Sequence, residues 1–261
     1  MTSPFRRSLL IGNWKMHTTV RAAAGLAREL RLLVPPLPDR EVAVAPPFTA
    51  LSAVGSLLEG SPIHLAAQDL FWEDEGAYTG EVSGPMLKET GVEYVILGHS
   101  ERRIYLAESD LAVSRKALAA LRSGLTPVVC VGEDQMARDA GRAQQVVRDQ
   151  LLRSIEDLPG AEAGRLVVAY EPVWAVGTGR SASPADAAEM HALIRLEIEA
   201  RFPADKAEGI RILYGGSVTE RNIDALMTRP EVDGVLVGGA SLRAHEFARI
   251  ADYGNPRKGD S

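Results

Sequence analysis

The chain has 261 residues, 46% of them hydrophobic, with 29 Lys+Arg against 35 Asp+Glu. That composition is globular and suits one large α/β domain or two smaller ones. A net charge of −6 supplies no basic field for nucleic acid or an anionic membrane surface, so an anionic ligand has to be held by a local site.

Arg6 and Arg7 are followed by SLLIG (8–12), too short for a signal-peptide core. SLLIG is the first of eight short runs, with EVAVA (41–45), PIHLAA (62–67), EYVILG (93–98), TPVVCVG (126–132), RLVVAY (165–170), IRILYG (210–215) and DGVLVG (233–238). They are almost continuously apolar, as strands buried on both faces of a parallel sheet should be. Between them run helical stripes: Leu26, Leu30 and Leu33, then Val147, Leu151, Ile155 and Leu158, then Ala187, Met190, Ile194 and Ile198. Ser183-Pro184 opens the last stripe as an N-cap followed by proline at the first helical position. No segment approaches the roughly 20 apolar residues of a membrane span. Cys130, the single cysteine, excludes an internal disulfide or a multi-cysteine metal cluster and fits a reducing cytosol. Inside PVVCV it reads as a small core hydrophobe. A soluble, cytoplasmic protein is expected.

Eight β-then-α units of about 30 residues match a closed (β/α)8 barrel, eight parallel strands with surrounding helices. The alternative is an open doubly wound sheet split into two domains. No linker-like stretch separates the units, and RSLLIGNWK lacks the GxGxxG turn of a dinucleotide site. A single barrel domain over residues 1–253 is expected, with a polar, frayed tail over 254–261.

In such a barrel the chemistry gathers on the rim where the strands end. Those ends carry Asn13 and Lys15, Gln68, His99 and Glu101, Glu133, Glu171, Gly215-Gly216-Ser217 and Gly238-Gly239. Each alone is weak, but together they put a base, a proton donor, an ammonium and two glycine-rich turns around one mouth. YGGSV (214–218) and VGGASL (237–242) read as strand-to-helix turns, whose free N–H groups and helix dipole favour an anion. A small phosphorylated compound is the expected ligand. No HExxH or CxxC spacing points to a metal, and no GxSxG elbow to a serine nucleophile. One carboxylate with one histidine and one lysine suits proton transfer next to a carbonyl, without a cofactor.

GNWKM (12–16), GHSERR (98–103), AYEPVWAVGTG (169–179), YGGSV and VDGVLVGGASL (232–242) together resemble the triosephosphate isomerase family, in order and approximate spacing, from about Ser8 to Tyr253. The resemblance implies Glu171 as the base shuttling a proton between two carbons and His99 as a neutral imidazole polarising the carbonyl. It implies Lys15 and Asn13 as stabilisers of phosphate and oxyanion, with Glu101 supporting the Lys15–His99 cluster. Phosphate would be held by Gly177, Ser217, Gly238 and Gly239. PVWAVGTGRSA (172–182) resembles a mobile lid that excludes water from the enediolate, hinged at Pro172-Val173-Trp174 and at Arg180-Ser181-Ala182. The implied reaction interconverts dihydroxyacetone phosphate and D-glyceraldehyde 3-phosphate in glycolysis and gluconeogenesis. A four-carbon ketose phosphate isomerase and a non-catalytic phosphosugar-binding protein are the alternatives.

The chain departs from the family pattern in four places. Arg180-Ser181 replaces Lys-Thr, Asp69 replaces Asn, His17 replaces Asn, and YLAES (105–109) replaces an FGES-like run. QDLFWEDEGAYTGEVSGPML (68–87) carries Phe71, Trp72 and Tyr78, and its GAYTGE core resembles the loop by which this family forms homodimers. Thr79 would approach Asn13, Lys15 and His17 of a second copy, and His17 would make that dimer sensitive to pH.

Overall fold

The computed structural model describes residues 6–175 and 182–254. Gly177, Arg180, Ser181 and most of the 254–261 tail therefore lie outside the described residues. Eight strands run parallel: β1 (Ser8–Asn13), β2 (Arg40–Ala45), β3 (Ile63–Ala67), β4 (Val92–Leu97), β5 (Thr126–Val131), β6 (Val167–Tyr170), β7 (Arg211–Tyr214) and β8 (Gly234–Val237). They pair in sequence order, and β8 closes on β1 with Leu9 opposite Gly234 and Gly12 opposite Val237. The expected barrel is what forms.

The apolar runs serve two cores because successive side chains point to opposite faces of a strand. Leu9, Ile11, Ala43, Ala45, Ile96, Val128, Cys130, Val167, Ala169, Leu213 and Leu236 fill the inside of the barrel. Leu10, Val42, Val44, Val95, Leu97, Val129, Val168, Ile212 and Val235 face outward onto the helices. Cys130 is a core residue, and burial pushes its thiol well above the usual range.

The helices are α1 (Val20–Leu33), α2 (Leu51–Leu58), α3 (Gly84–Glu89), α4 (Ser100–Leu106), α5 (Asp110–Arg122), α6 (Gln135–Asp139), α7 (Ala143–Ser154), α8 (Pro184–Arg201), α9 (Ala204–Ala207), α10 (Ile223–Met227) and α11 (Ala244–Ala251). None among the described residues is long and apolar enough to cross a membrane. Ser183 caps α8 as its sequence promises, in a reciprocal capping box with Asp186. The stripe ending at Leu158 does not stay helical. α7 stops at Ser154, and Ile155 and Leu158 are buried beyond it. Ile155, the C-cap at φ −121° and ψ 14°, leaves the helix before Pro159 could be reached, and the chain keeps its apolar contacts. Arg165 likewise belongs to a 3₁₀ turn (Gly160–Arg165), and β6 begins two residues later.

Candidate active site

The same period of two that fills the barrel carries two polar residues into its C-terminal mouth. Asn13 continues the inward series Leu9–Ile11, and Glu171 continues Val167–Ala169. Both are buried, Glu171 at 2% exposure. Room for Glu171 comes from glycines on the two neighbouring strands. A Cβ on Gly132 would lie 1.7 Å from the Glu171 carbonyl oxygen, and one on Gly215 would lie 2.8 Å from its Cγ.

Lys15 reaches the mouth through a strained turn. Its φ is +52°, a left-handed conformation that costs an L-residue about 1–2 kcal/mol. Asn13 Oδ1 accepts the Lys15 N–H at 3.0 Å, and Gln68 Nε2 donates to the carbonyls of Lys15 and Ala45 at 2.8 Å each. Those bonds hold the turn, and Lys15 Nζ then meets Glu101 Oε1 at 2.6 Å.

His99 is the N-cap of α4. Its Nδ1 accepts the Glu101 N–H at 3.2 Å, which leaves the neutral ring's proton on Nε2. Nε2 lies 2.9 Å from Glu171 Oε1. The other carboxylate oxygen, Oε2, accepts the Ser100 N–H at 2.8 Å. Burial alone would raise the Glu171 pKa, but His99, the Ser100 amide and Lys15 together hold it below the usual carboxylate value. Burial opposes charge on His99, and the touching Glu171 carboxylate overcomes this and draws its pKa upward.

A cavity of about 340 Å³ opens over this cluster, lined by Asn13, Lys15, His99 and Glu171 on one side and Ser217, Gly238 and Gly239 on the other. The backbone N–H groups of those last three donate to nothing among the described residues. The turn after β8 runs straight into a 3₁₀ turn (Gly239–Leu242), as expected. The turn after β7 does not open a helix. α10 starts only at Ile223, because Asn222 ties the intervening loop by bonds to Ser217 O and Thr219 N. A favourable helix-end dipole thus acts from the β8 side alone. Arg243, which the sequence did not single out, also lines the cavity and pairs with Glu246.

Glu133 was only a strand-end acid in the sequence. In the fold it is fully buried, and its Oε1 accepts from Tyr170 Oη at 3.1 Å, Trp174 Nε1 at 2.8 Å and Arg138 at 3.1 Å. Arg138 also stacks on the Trp174 ring and bonds Asp186 at 2.8 Å. One carboxylate therefore anchors the residues expected to form the first lid hinge. Their partners lie about 40 residues away in sequence, so no local pattern could expose this. Asp69 is buried against Lys116 (2.8 Å to each oxygen) and Arg102 (2.7 Å), and burial pushes its carboxyl up to about 6 against the pull of Lys116. It links the 68–87 loop to α4 and α5. Among the described residues no group of His, Cys, Asp or Glu is arranged to hold a metal ion.

Comparison with known proteins shows the family. The family model for triosephosphate isomerase matches residues 8–254. A triosephosphate isomerase of Chloroflexus aurantiacus is 52% identical over 248 residues, covering 95% of this chain and 99% of that protein. One from Moorella thermoacetica is also 52% identical, with the same coverage. The crystal structure of triosephosphate isomerase from Bartonella henselae superposes with a TM-score of 0.85 at 40% identity, covering 94% of this chain and 98% of that one.

Proposed function

The chain belongs to the triosephosphate isomerase family, and we propose that Lys15, His99 and Glu171 carry out its aldose–ketose isomerisation of dihydroxyacetone phosphate and D-glyceraldehyde 3-phosphate. The observation that carries this reading is the convergence of one buried carboxylate, one imidazole N–H and one ammonium on a single cavity. Glu171 takes the proton from the carbon beside the carbonyl. His99 donates its Nε2 hydrogen bond to the carbonyl oxygen, and Lys15 stabilises the oxyanion of the enediolate. His99 Nε2 passes its proton to that oxygen and takes one back from the neighbouring hydroxyl, while Glu171 returns its own proton to the adjacent carbon. No redox partner or cofactor enters the balance.

Both Glu171 oxygens are engaged in the resting chain. A bound carbonyl oxygen would take over the His99 Nε2 proton and free Oε1 for the substrate carbon. With the carboxylate turned away, burial and the α4 N-terminus keep the imidazole neutral. Asn13 and Glu101 position Lys15. The phosphate is assigned to the amides of Ser217, Gly238 and Gly239, joined by Gly177 of the lid. Closure of residues 172–182 would exclude water from the enediolate, with Glu133 setting the resting position of the Trp174 hinge.

The partner is assigned as a second copy of the chain. Phe71 stacks on Trp72 at a centroid distance of 4.1 Å and meets Tyr78 at 4.5 Å, stiffening a loop whose 73–81 tip is exposed, as are Met16 and His17 on the loop after β1. Thr79 of one copy would support Lys15 of the other, and a cytoplasmic location suits the lone reduced thiol. Steady-state assays on three- and four-carbon ketose phosphates, with sedimentation of the same samples, test both parts. Faster turnover of a four-carbon substrate would overturn the substrate assignment, and a fully active monomer the assembly.

A further inference from the structure

The strand alternation that builds the catalytic mouth also fills the opposite one. Stepping back by two from the inward residues Leu9, Ala43, Val128 and Leu213 gives Arg7, Glu41, Thr126 and Arg211 at the strands' N-terminal ends. A cavity of about 390 Å³ lies there, lined by Arg6, Arg7, Arg165, Arg211 and Thr126 among others, and no acidic side chain is part of its lining. Four guanidinium groups converging on one cavity is unexpected in a chain of net charge −6.

The carboxylates behind these arginines do not balance them. Glu41 serves both Arg211, at 2.8 Å, and Arg7, at 3.4 Å. Asp233 and Glu231 are shared between Arg6 and Arg195. Arg165 has no carboxylate partner among the described residues. Its two terminal nitrogens donate to the carbonyls of Leu121 and Leu125. Five guanidinium groups thus face three carboxylates. The C-terminal end of α5, which Arg165 meets at the Leu121 carbonyl, offsets part of the surplus, about half a charge. A net positive field remains, next to open space large enough for a small ligand.

We propose that this basal cavity is a second anion site, separate from the catalytic mouth, that takes a compact phosphate anion of pyrophosphate size. Arg7 and Arg165 are exposed at its edge, and Arg165, with two of its five N–H donors spent on carbonyls, keeps three for phosphate oxygens. Arg211 is held deeper by Glu41 and Tyr94, and adds charge without having to move. No aromatic ring lines the cavity, so a nucleoside would gain no stacking there.

Calorimetric titration with pyrophosphate at fixed ionic strength, paired with pyrophosphate inhibition of the isomerase reaction, tests this. Two binding events per chain are expected, one that competes with substrate and one that does not. Arg7→Gln with Arg165→Gln should weaken the non-competing event by about tenfold or more, leaving kcat/KM and the competitive inhibition unchanged. Arg165→Lys, which keeps the charge but loses the guanidinium fork, should weaken it less, and serves as the reading if the double variant does not fold. A wild-type protein with only the substrate-competing event would overturn the proposal. So would a folded double variant, or Arg165→Lys where it stands in, that keeps wild-type binding at the second event, or ATP binding there about tenfold tighter than pyrophosphate.

Discussion

His99 Nε2 lies 2.9 Å from Glu171 Oε1, so the groups proposed as acid and base hold each other in the resting chain. The contact accounts for both pKa directions, Glu171 down and His99 up. It also keeps a fully buried carboxylate from standing unpaired, which would cost several kcal/mol.

Glu171→Gln keeps the shape and the hydrogen-bonding reach of the side chain but cannot accept the substrate proton. Turnover should fall by about 10²–10⁴-fold, the usual worth of a positioned base, while affinity for a phosphate-bearing inhibitor stays within a few-fold. Near-normal turnover by pure variant would remove Glu171 as the base.

Glu101→Gln should loosen Lys15, whose ammonium it holds at 2.6 Å. The groups that touch the reacting carbons remain, so the loss should be smaller, up to about 10²-fold in kcat/KM. His99 should stay capped by the unchanged Glu101 amide, and the pH profile should keep its wild-type shape. A profile shifted by a unit or more would mean that Glu101 acts through the imidazole instead.

Stability should respond to pH through His191. It is fully buried, its Nδ1 lies 2.8 Å from the Glu231 carbonyl oxygen, and burial lowers its pKa from 6.5 to about 4. Between those values the unfolded chain binds a proton that the folded chain does not. Stability from this residue is therefore complete above about 6.5 and is lost as pH falls toward 4, by about 3 kcal/mol in all. His191→Gln should lose some packing at pH 7 yet decline less steeply on acidification. Urea unfolding at pH 7 and 4.5 decides it, since parallel slopes in the two proteins would rule the assignment out.

Ala107 ends α4 in the left-handed conformation, at φ +53°. The strain costs about 1–2 kcal/mol, and glycine there gives back about 0.4–1 kcal/mol through the freer unfolded chain. Ala107→Gly should therefore raise stability modestly, by about 1 kcal/mol. A drop in the unfolding midpoint would show that the Ala107 methyl makes contacts worth more than the strain.

Much of this molecule could be read from its residues. The eight apolar runs are strands because only a doubly buried parallel sheet needs them. Asn13 and Glu171 could be placed because each sits in step with the inward residues of its own strand. What stayed hidden depends on distant partners. Ser100 meets Glu171 across 71 positions, and Gln68 reaches Lys15 across 53. The late start of α10 depends on Asn222 satisfying the loop, and α7 ends at Ser154 although the apolar stripe runs on to Leu158. The basal arginines stand far apart in sequence, at Arg6-Arg7, Arg165 and Arg211, and only closure of the barrel gathers them.

The base is seated by missing side chains on both flanks, at Gly132 and Gly215. Mutation can only add atoms at those two positions, so it can only evict Glu171 and never enlarge its seat. A lineage or a designer seeking a longer sugar has no freedom behind the carboxylate. The permissive ground lies across the cavity at Gly239, where a new methyl group would meet nothing within 4 Å. Changes of substrate range should therefore accumulate on the phosphate side of the mouth, while the wall around the base stays frozen.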